Sequence, residues 1–256
     1  MWYIGTSGFS FEDWIGTVYP EDIKKEEMFT YYCQIYKFNA VELNFTFYQM
    51  PSHKTILRLL RRSPPGFKFA VKLHGSITHE GDLDNISPFI ESTKILAEEG
   101  KMIGYLAQFP YGFRRSPENE DFLFRLADLV YPLFVEFRHD SWHKFCETYS
   151  GQFQFVVVDL PKIANLFPLK VFNTETVYVR LHGRNKNWFQ ADEKTRYDYD
   201  YSDHELMELA GLLNVPWLQT RYVFFNNCYR GQALKNALAF RNMVGGDKSG
   251  DLFSIQ

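Results

Sequence analysis

Eight side chains of this 256-residue chain carry the groups that acid–base and anion chemistry uses, and all eight fall in short apolar runs: Glu42, Lys72, His74, Glu136, Arg138, Asp159, Arg180 and His182. Glu42 and Glu136 could serve as general base and general acid, provided that burial or like charge raises one pKa enough to hold a proton near neutrality. Arg138, Arg180 and Lys72 could clamp a phosphate or carboxylate, because guanidinium groups bind oxyanions bidentately. Lys72 could instead form a Schiff base, but that needs a depressed pKa, and two nearby carboxylates push the other way. Glu42, Glu136, Asp159 and His182 form an oxygen and nitrogen set that a divalent metal could use, although the cations among them argue against one. The structural alternative to each role is an ion pair with a neighbour of opposite sign.

The runs that hold these residues are rich in β-branched and aromatic side chains: 2–7, 40–44, 67–74, 103–109, 133–138, 153–159, 177–183 and 221–227. Between most of them lie stretches of helical spacing, at 26–36, 53–62, 86–99, 117–131, 141–149, 203–213 and 231–244, with a weaker one at 162–169. Strand alternating with helix eight times over about 250 residues is the arithmetic of a single (β/α)8 TIM barrel. An open doubly wound sheet competes less well, because no GxGxxG or phosphate loop follows the first strand. The barrel domain is expected over residues 1–244, with a C-terminal tail at 245–256. The 184–202 segment is long for a connection and carries Trp188, Phe189, Tyr197, Tyr199 and Tyr201, as a lid or a rim cover would.

Side chains alternate across a strand, so the polar members of each run share a face. Glu42 and Asn44 oppose Val41 and Leu43; Lys72 and His74 oppose Val71 and Leu73. Glu136 and Arg138, Arg180 and His182, and Asn226 repeat the split, while Ser7, Gln108 and Asp159 end their own strands and Asn227 follows Asn226. Gly5 and Gly104 leave room lower in the barrel. Polar residues at the C-terminal strand ends facing inward are where barrel enzymes build their sites; a barrel needing only stability would place Val, Ile and Leu there. The expected catalytic group is Glu42, Lys72, Glu136, Asp159 and His182, with Ser7, Asn44, His74, Gln108, Arg138, Arg180, Asn226 and Asn227 binding substrate.

Lys plus Arg number 28 and Asp plus Glu 31, so the formal charge of −3 lacks the basic excess of a general nucleic-acid binder. Three widely spaced cysteines, Cys33, Cys146 and Cys228, contain no CxxC pair and argue against a disulfide framework. No membrane span or signal peptide is visible, and a cytoplasmic location is expected.

The chain resembles the YecE-like barrel family, also called the domain of unknown function 72. The resemblance rests on Gly5-Thr6-Ser7-Gly8-Phe9-Ser10 with Trp14 and Tyr19-Pro20, on Glu42-Leu43-Asn44-Phe45-Thr46-Phe47-Tyr48, and on Pro65-Gly66-Phe67 with Lys72 and Thr78-His79. It continues through Gln108-Phe109-Pro110, Glu136-Phe137-Arg138 with Ser141-Trp142, Arg180-Leu181-His182-Gly183, and Phe225-Asn226-Asn227 with Gly231, Ala233 and Asn236-Ala237. Phe45 stands where the family more often has a small residue. The resemblance implies a closed eight-stranded barrel and supplies no reaction, so function is argued from the site.

The expected function is an enzyme, a hydrolase, lyase or isomerase, acting on a small anionic or phosphorylated substrate. Three alternatives stay open. The first is metal-dependent phosphodiester or nucleic-acid chemistry, as in DNA-repair endonuclease barrels, with Arg184, Lys186, Arg196 and the lid aromatics tracking a strand. The second is a glycosidase pair made of Glu42 and Glu136, and the third a non-catalytic anion or nucleotide binder. No cofactor is specified by any motif.

Overall fold

The apolar runs become the eight strands of a computed structural model that describes residues 1–192 and 195–245. These are β1 (Trp2–Thr6), β2 (Ala40–Leu43), β3 (Lys68–Lys72), β4 (Met102–Gln108), β5 (Leu133–Glu136), β6 (Gln154–Asp159), β7 (Glu175–Leu181) and β8 (Leu218–Phe225). Every paired neighbour is parallel, in the order β1-β8-β7-β6-β5-β4-β3-β2, and a bridge between Ser7 and Glu42 joins the two ends of that order. The fold is therefore a (β/α)8 barrel. Around it lie α1 (Met28–Gln34), α2 (Phe45–Tyr48), α3 (His53–Arg62), α4 (Gly75–Thr78), α5 (Ile86–Thr93), α6 (Ile95–Glu98), α7 (Pro117–Leu129), α8 (His143–Tyr149), α9 (Asp203–Leu213) and α10 (Gln232–Gly245). Caps fix several starts: the Ser52 and Ser116 hydroxyls accept from the Thr55 and Asn119 N–H groups, Pro117 opens α7, and Ser202 with Glu205 forms a capping box on α9.

The interior is aromatic. The inward faces of β1, β5, β7 and β8 bring Tyr3, Phe134, Tyr178, Tyr222 and Phe224 together, with Tyr3 stacked on Tyr222 at 5.3 Å and Phe134 4.9 Å from Tyr178. Gly104 admits this layer, since a Cβ there would stand 2.8 Å from the Phe134 ring. The outward faces carry Val41, Leu43, Val71, Val135, Val157 and Val179, all buried beneath the helices.

The seam between β1 and β2 is sewn mainly by side chains. Asn39 accepts from the Ile4 N–H and donates to the Trp2 carbonyl, each at 2.9 Å, as a neighbouring strand would. Above it the Tyr32 hydroxyl, from α1, accepts from the Thr6 N–H at 2.9 Å and donates to the Ala40 carbonyl at 3.0 Å. Only at the top does backbone meet backbone, where the Gly8 N–H donates to the Glu42 carbonyl at 2.9 Å. Gly5 is required at this seam, because a Cβ would lie 2.0 Å from the Ala40 oxygen.

Three expectations are corrected. The helix expected at 86–99 is split at Lys94 into α5 and α6. The weak 162–169 segment makes only a turn, with the Leu166 N–H donating to the Ile163 carbonyl at 3.2 Å; Pro168, which lacks an N–H, stops it from continuing as a helix, and it lies along the chain after β5. There Leu166 bridges His139 and the Phe167 N–H donates to the Arg138 carbonyl, which fixes the backbone that carries Arg138. The short helices α2 and α4 are additions to the expected set, the first following Asn44 and the second His74. The tail expected at 245–256 lies, beyond Gly245, outside the described residues. No helix among the described residues is long and apolar enough to cross a membrane.

Candidate active site

Arg180 occupies the axis of the barrel near its C-terminal end and is 1% exposed. The strand register places it level with Phe224, one inward step above Tyr178 and one below His182. Its guanidinium is a fork between two carboxylates: Nη2 donates to Glu42 Oε1 at 2.8 Å and Nη1 to Glu136 Oε2 at 2.7 Å. The second Glu42 oxygen accepts from the Tyr178 hydroxyl at 2.6 Å. The second Glu136 oxygen faces Arg138 Nε at 2.8 Å and His182 Nε2 at 3.2 Å. Both glutamates are fully buried. Two buried carboxylates are tolerable here because Glu42 accepts from Arg180 and Tyr178, while Glu136 accepts from Arg180 and has the Arg138 charge beside its other oxygen.

Histidine chemistry is set by a neighbour. Asn226 Nδ2 lies 2.9 Å from His182 Nδ1, and its own Oδ1 is taken by Asn44 Nδ2 at 3.4 Å, so the amide donates and the imidazole proton sits on Nε2, facing Glu136. Burial, with Arg138 beside it, draws the His182 pKa down to about 3, so the ring is neutral across the physiological range. For Glu136, burial is outweighed by Arg180, Arg138 and His182, which hold the carboxyl well below the usual range. Glu136 is thus a permanent carboxylate rather than the proton-holding acid expected from the sequence.

Lys72 ends β3 and stands apart from this pairing. Its carbonyl is fixed by the Thr46 hydroxyl at 2.5 Å, and its Nζ lies 4.1 Å from the centroid of the Phe47 ring. Among the described residues Nζ has no hydrogen bond or ion pair. Burial, reinforced by Arg180, draws its pKa down to about 7 against the opposing pull of Glu42 and Glu136. The expectation that two carboxylates would keep this lysine charged is therefore corrected: both are already engaged by Arg180, and the lysine feels mainly its own burial.

A cavity of about 750 Å3 opens above this network. Ser7, Asn44, Lys72, Gln108, Arg138, Arg180 and Asn226 line its floor, with Tyr197 on one wall and Phe11, Tyr48 and Tyr229 at the rim. Asn44 Oδ1 and Arg180 Nε are buried there without a hydrogen-bond partner. Three cations against two carboxylates leave one positive charge unmatched whenever Lys72 is protonated.

Three residues expected at the mouth lie elsewhere. His74 caps α4, its Nδ1 accepting from the Ser76 N–H at 3.2 Å. Asp159 shares its register level with Leu181, whereas Val158 is level with Arg180, so the carboxylate points out toward the helices. There it accepts both Arg184 Nε (2.9 and 3.0 Å) and the Tyr201 hydroxyl (2.6 Å), and burial raises its pKa despite those bonds. Asn227, one residue past the inward Asn226, donates to the Tyr199 carbonyl and to Asn236, tying the 184–202 segment to α10. That segment covers His182 with Trp188 and Tyr197, at centroid separations of 6.3 and 6.1 Å. Arg184, which the nucleic-acid alternative would use to track phosphates, is committed to Asp159 and Glu205. Among the described residues no group of three His, Cys, Asp or Glu side chains is placed to hold a metal.

Two contributors escaped the sequence reading. Tyr178 shares the period-two face of Arg180 and His182, and the same alternation could have found it. Phe47 could not be placed so, because it lies in the unforeseen helix α2.

A family model described as "Protein of unknown function DUF72" matches residues 3–252. A "UPF0759 protein YunF" from Bacillus subtilis is 27% identical, over 98% of this chain and 97% of that protein. The crystal structure of a DUF72 family protein from Thermotoga maritima matches with a TM-score of 0.88 and 43% identity, over 96% of this chain and 99% of the other. A DUF72 family protein from Enterococcus faecalis matches with a TM-score of 0.83 and 26% identity, over 100% and 99% of the two chains.

Proposed function

Since the chain belongs to the DUF72 family, whose description names no reaction, its chemistry must come from the site, and we propose that it is an enzyme acting on a small anionic or phosphorylated substrate at the mouth of the barrel. The observation that carries this reading is the division of labour among the charges. Glu42 and Glu136 both hold Arg180, Arg138 pairs with the second Glu136 oxygen, and a protonated Lys72 leaves the cavity one positive charge unmatched. Arg138 and the outward edge of Arg180 bind the anionic group, and Asn44, Gln108, Ser7 and Asn226 orient the rest of the molecule. Lys72, the ionisable group of the cavity brought near neutrality, moves the proton or makes the bond. His182, neutral and with Nε2 3.2 Å from Glu136, lies against that carboxylate rather than touching substrate.

Inorganic phosphate titrated against the purified protein is expected to raise its melting temperature in a saturable way. Arg138→Ala removes one charge-assisted hydrogen bond to the anion, about 1.5–3 kcal/mol, and so weakens phosphate binding by roughly tenfold or more. Unchanged affinity in that variant would sink the assignment. A metal-dependent nuclease lacks support from a clustered ligand set among the described residues.

A further inference from the structure

We propose that Lys72 is the nucleophile of an imine-forming reaction, and that its substrate is a small aldehyde or ketone also bearing a phosphate or carboxylate. The proposal rests on the mouth being an anion site and adds to it the functional group on which the enzyme acts.

Four observations support it. Lys72 as a residue is 8% exposed, yet it is part of the cavity lining, so a bound molecule reaches it while bulk water largely does not. No carboxylate holds it as an ammonium ion: Glu42 is shared by Arg180 and Tyr178, and Glu136 by Arg180, Arg138 and His182. Its position is fixed from both ends, by the Thr46 hydroxyl on its carbonyl and by the Phe47 ring beneath Nζ. Arg138 borders the same cavity and itself rests against Trp188, at 5.6 Å, so a charged handle and a reacting carbonyl can be held together. Desolvation of a lysine among other cations is a general route to a nucleophilic amine at neutral pH.

The step balances without a further reagent. The Nζ lone pair bonds to the carbonyl carbon, and one amine hydrogen passes to the carbonyl oxygen, giving a carbinolamine. The carbon–oxygen bond then breaks, and the oxygen departs as water with the second amine hydrogen, leaving a carbon–nitrogen double bond to Lys72. Hydrolysis reverses both steps and frees the enzyme.

Pyridoxal 5′-phosphate, which carries an aldehyde and a phosphate, is a direct probe. Incubated with the protein and cyanoborohydride, it is expected to leave a reduced adduct on Lys72, read by peptide mapping. Labelling should outpace that of exposed lysines by about an order of magnitude, because far more of this amine is neutral near pH 7. Inorganic phosphate should suppress the adduct, and Lys72→Met should lose it. If exposed lysines are labelled and Lys72 is not, while phosphate still raises the melting temperature, the imine assignment is overturned and the anion site stands. If pyridoxal without its phosphate labels Lys72 equally well and phosphate fails to compete, the amine chemistry holds and the anionic part of the substrate class is overturned. Peptide mapping on the wild-type protein decides both points even should Lys72→Met fail to fold.

Discussion

Arg180 is bonded to both buried carboxylates, and what it does for them they do for it. Glu42→Gln leaves the guanidinium without a full counter-charge and is expected to destabilise by about 3–5 kcal/mol, the range for breaking a buried pair from one side. Tyr178→Phe removes only a hydrogen bond to the same carboxylate, worth about 1.5–3 kcal/mol. Because both changes act on one oxygen pair, urea unfolding of the double variant should show less loss than the two single losses combined; strict additivity would mean that Tyr178 does not support Glu42. The pH dependence follows from Lys72 and its charged neighbours, Arg180, Arg138, Glu42 and Glu136. Its folded pKa, near 7, lies below the 10.5 of a free lysine, so between those values the unfolded chain binds a proton that the folded one does not. Stability attributable to this residue therefore rises from about pH 7 to 10.5. Lys72→Met should narrow its stability gap to wild type at pH 7 relative to pH 10; an equal gap at both would show that the amine is not desolvated. On the acid side His182 acts in the same direction, its neutral folded form losing ground as pH falls from 6.5 toward 3.

Elements explain why some of this was legible in the sequence. Alternation along β2, β3, β5 and β7 separates Glu42, Lys72, Glu136 and Arg180 from their apolar neighbours, since a strand with one polar and one apolar face has a single sensible orientation in a barrel. It misplaced Asp159 because β6 reads Val156-Val157-Val158 below it, and a run with no polar alternation gives no parity to extend. Asn227 was misplaced because the strand ends at Phe225, after which alternation no longer governs direction. His74 was captured by α4, whose four residues carry no helical period that a sequence could display. These misplaced residues have a job at this scale: Asp159 and Asn227 hold the 184–202 segment at Arg184, Tyr201 and Tyr199. Asp159→Asn should loosen that segment without touching the cavity floor. Limited proteolysis is expected to cleave the variant within 184–202 faster than wild type, and equal cleavage rates would show that the anchor lies elsewhere.

For the whole molecule the distinctive feature is the seam. Thr6 donates its N–H to the Tyr32 hydroxyl, whereas Ser7, next in sequence, donates to the Phe225 carbonyl at 2.9 Å. Tyr32→Phe should thus accelerate hydrogen exchange at Thr6 far more than at Ser7; equal acceleration would mean that the seam opens only with the barrel as a whole. A consequence reaches back to how the polypeptide is made. Of the eight strands β1 is made first, yet the strand that completes its backbone ladder is β8, which begins at Leu218. On the side of β2 the first strand finds mostly an amide and a phenol instead of a ladder. The first of the eight strands must therefore wait, edge unpaired, until the other seven have been made, a long interval in which a chaperone can hold it and a neighbouring nascent chain can capture it.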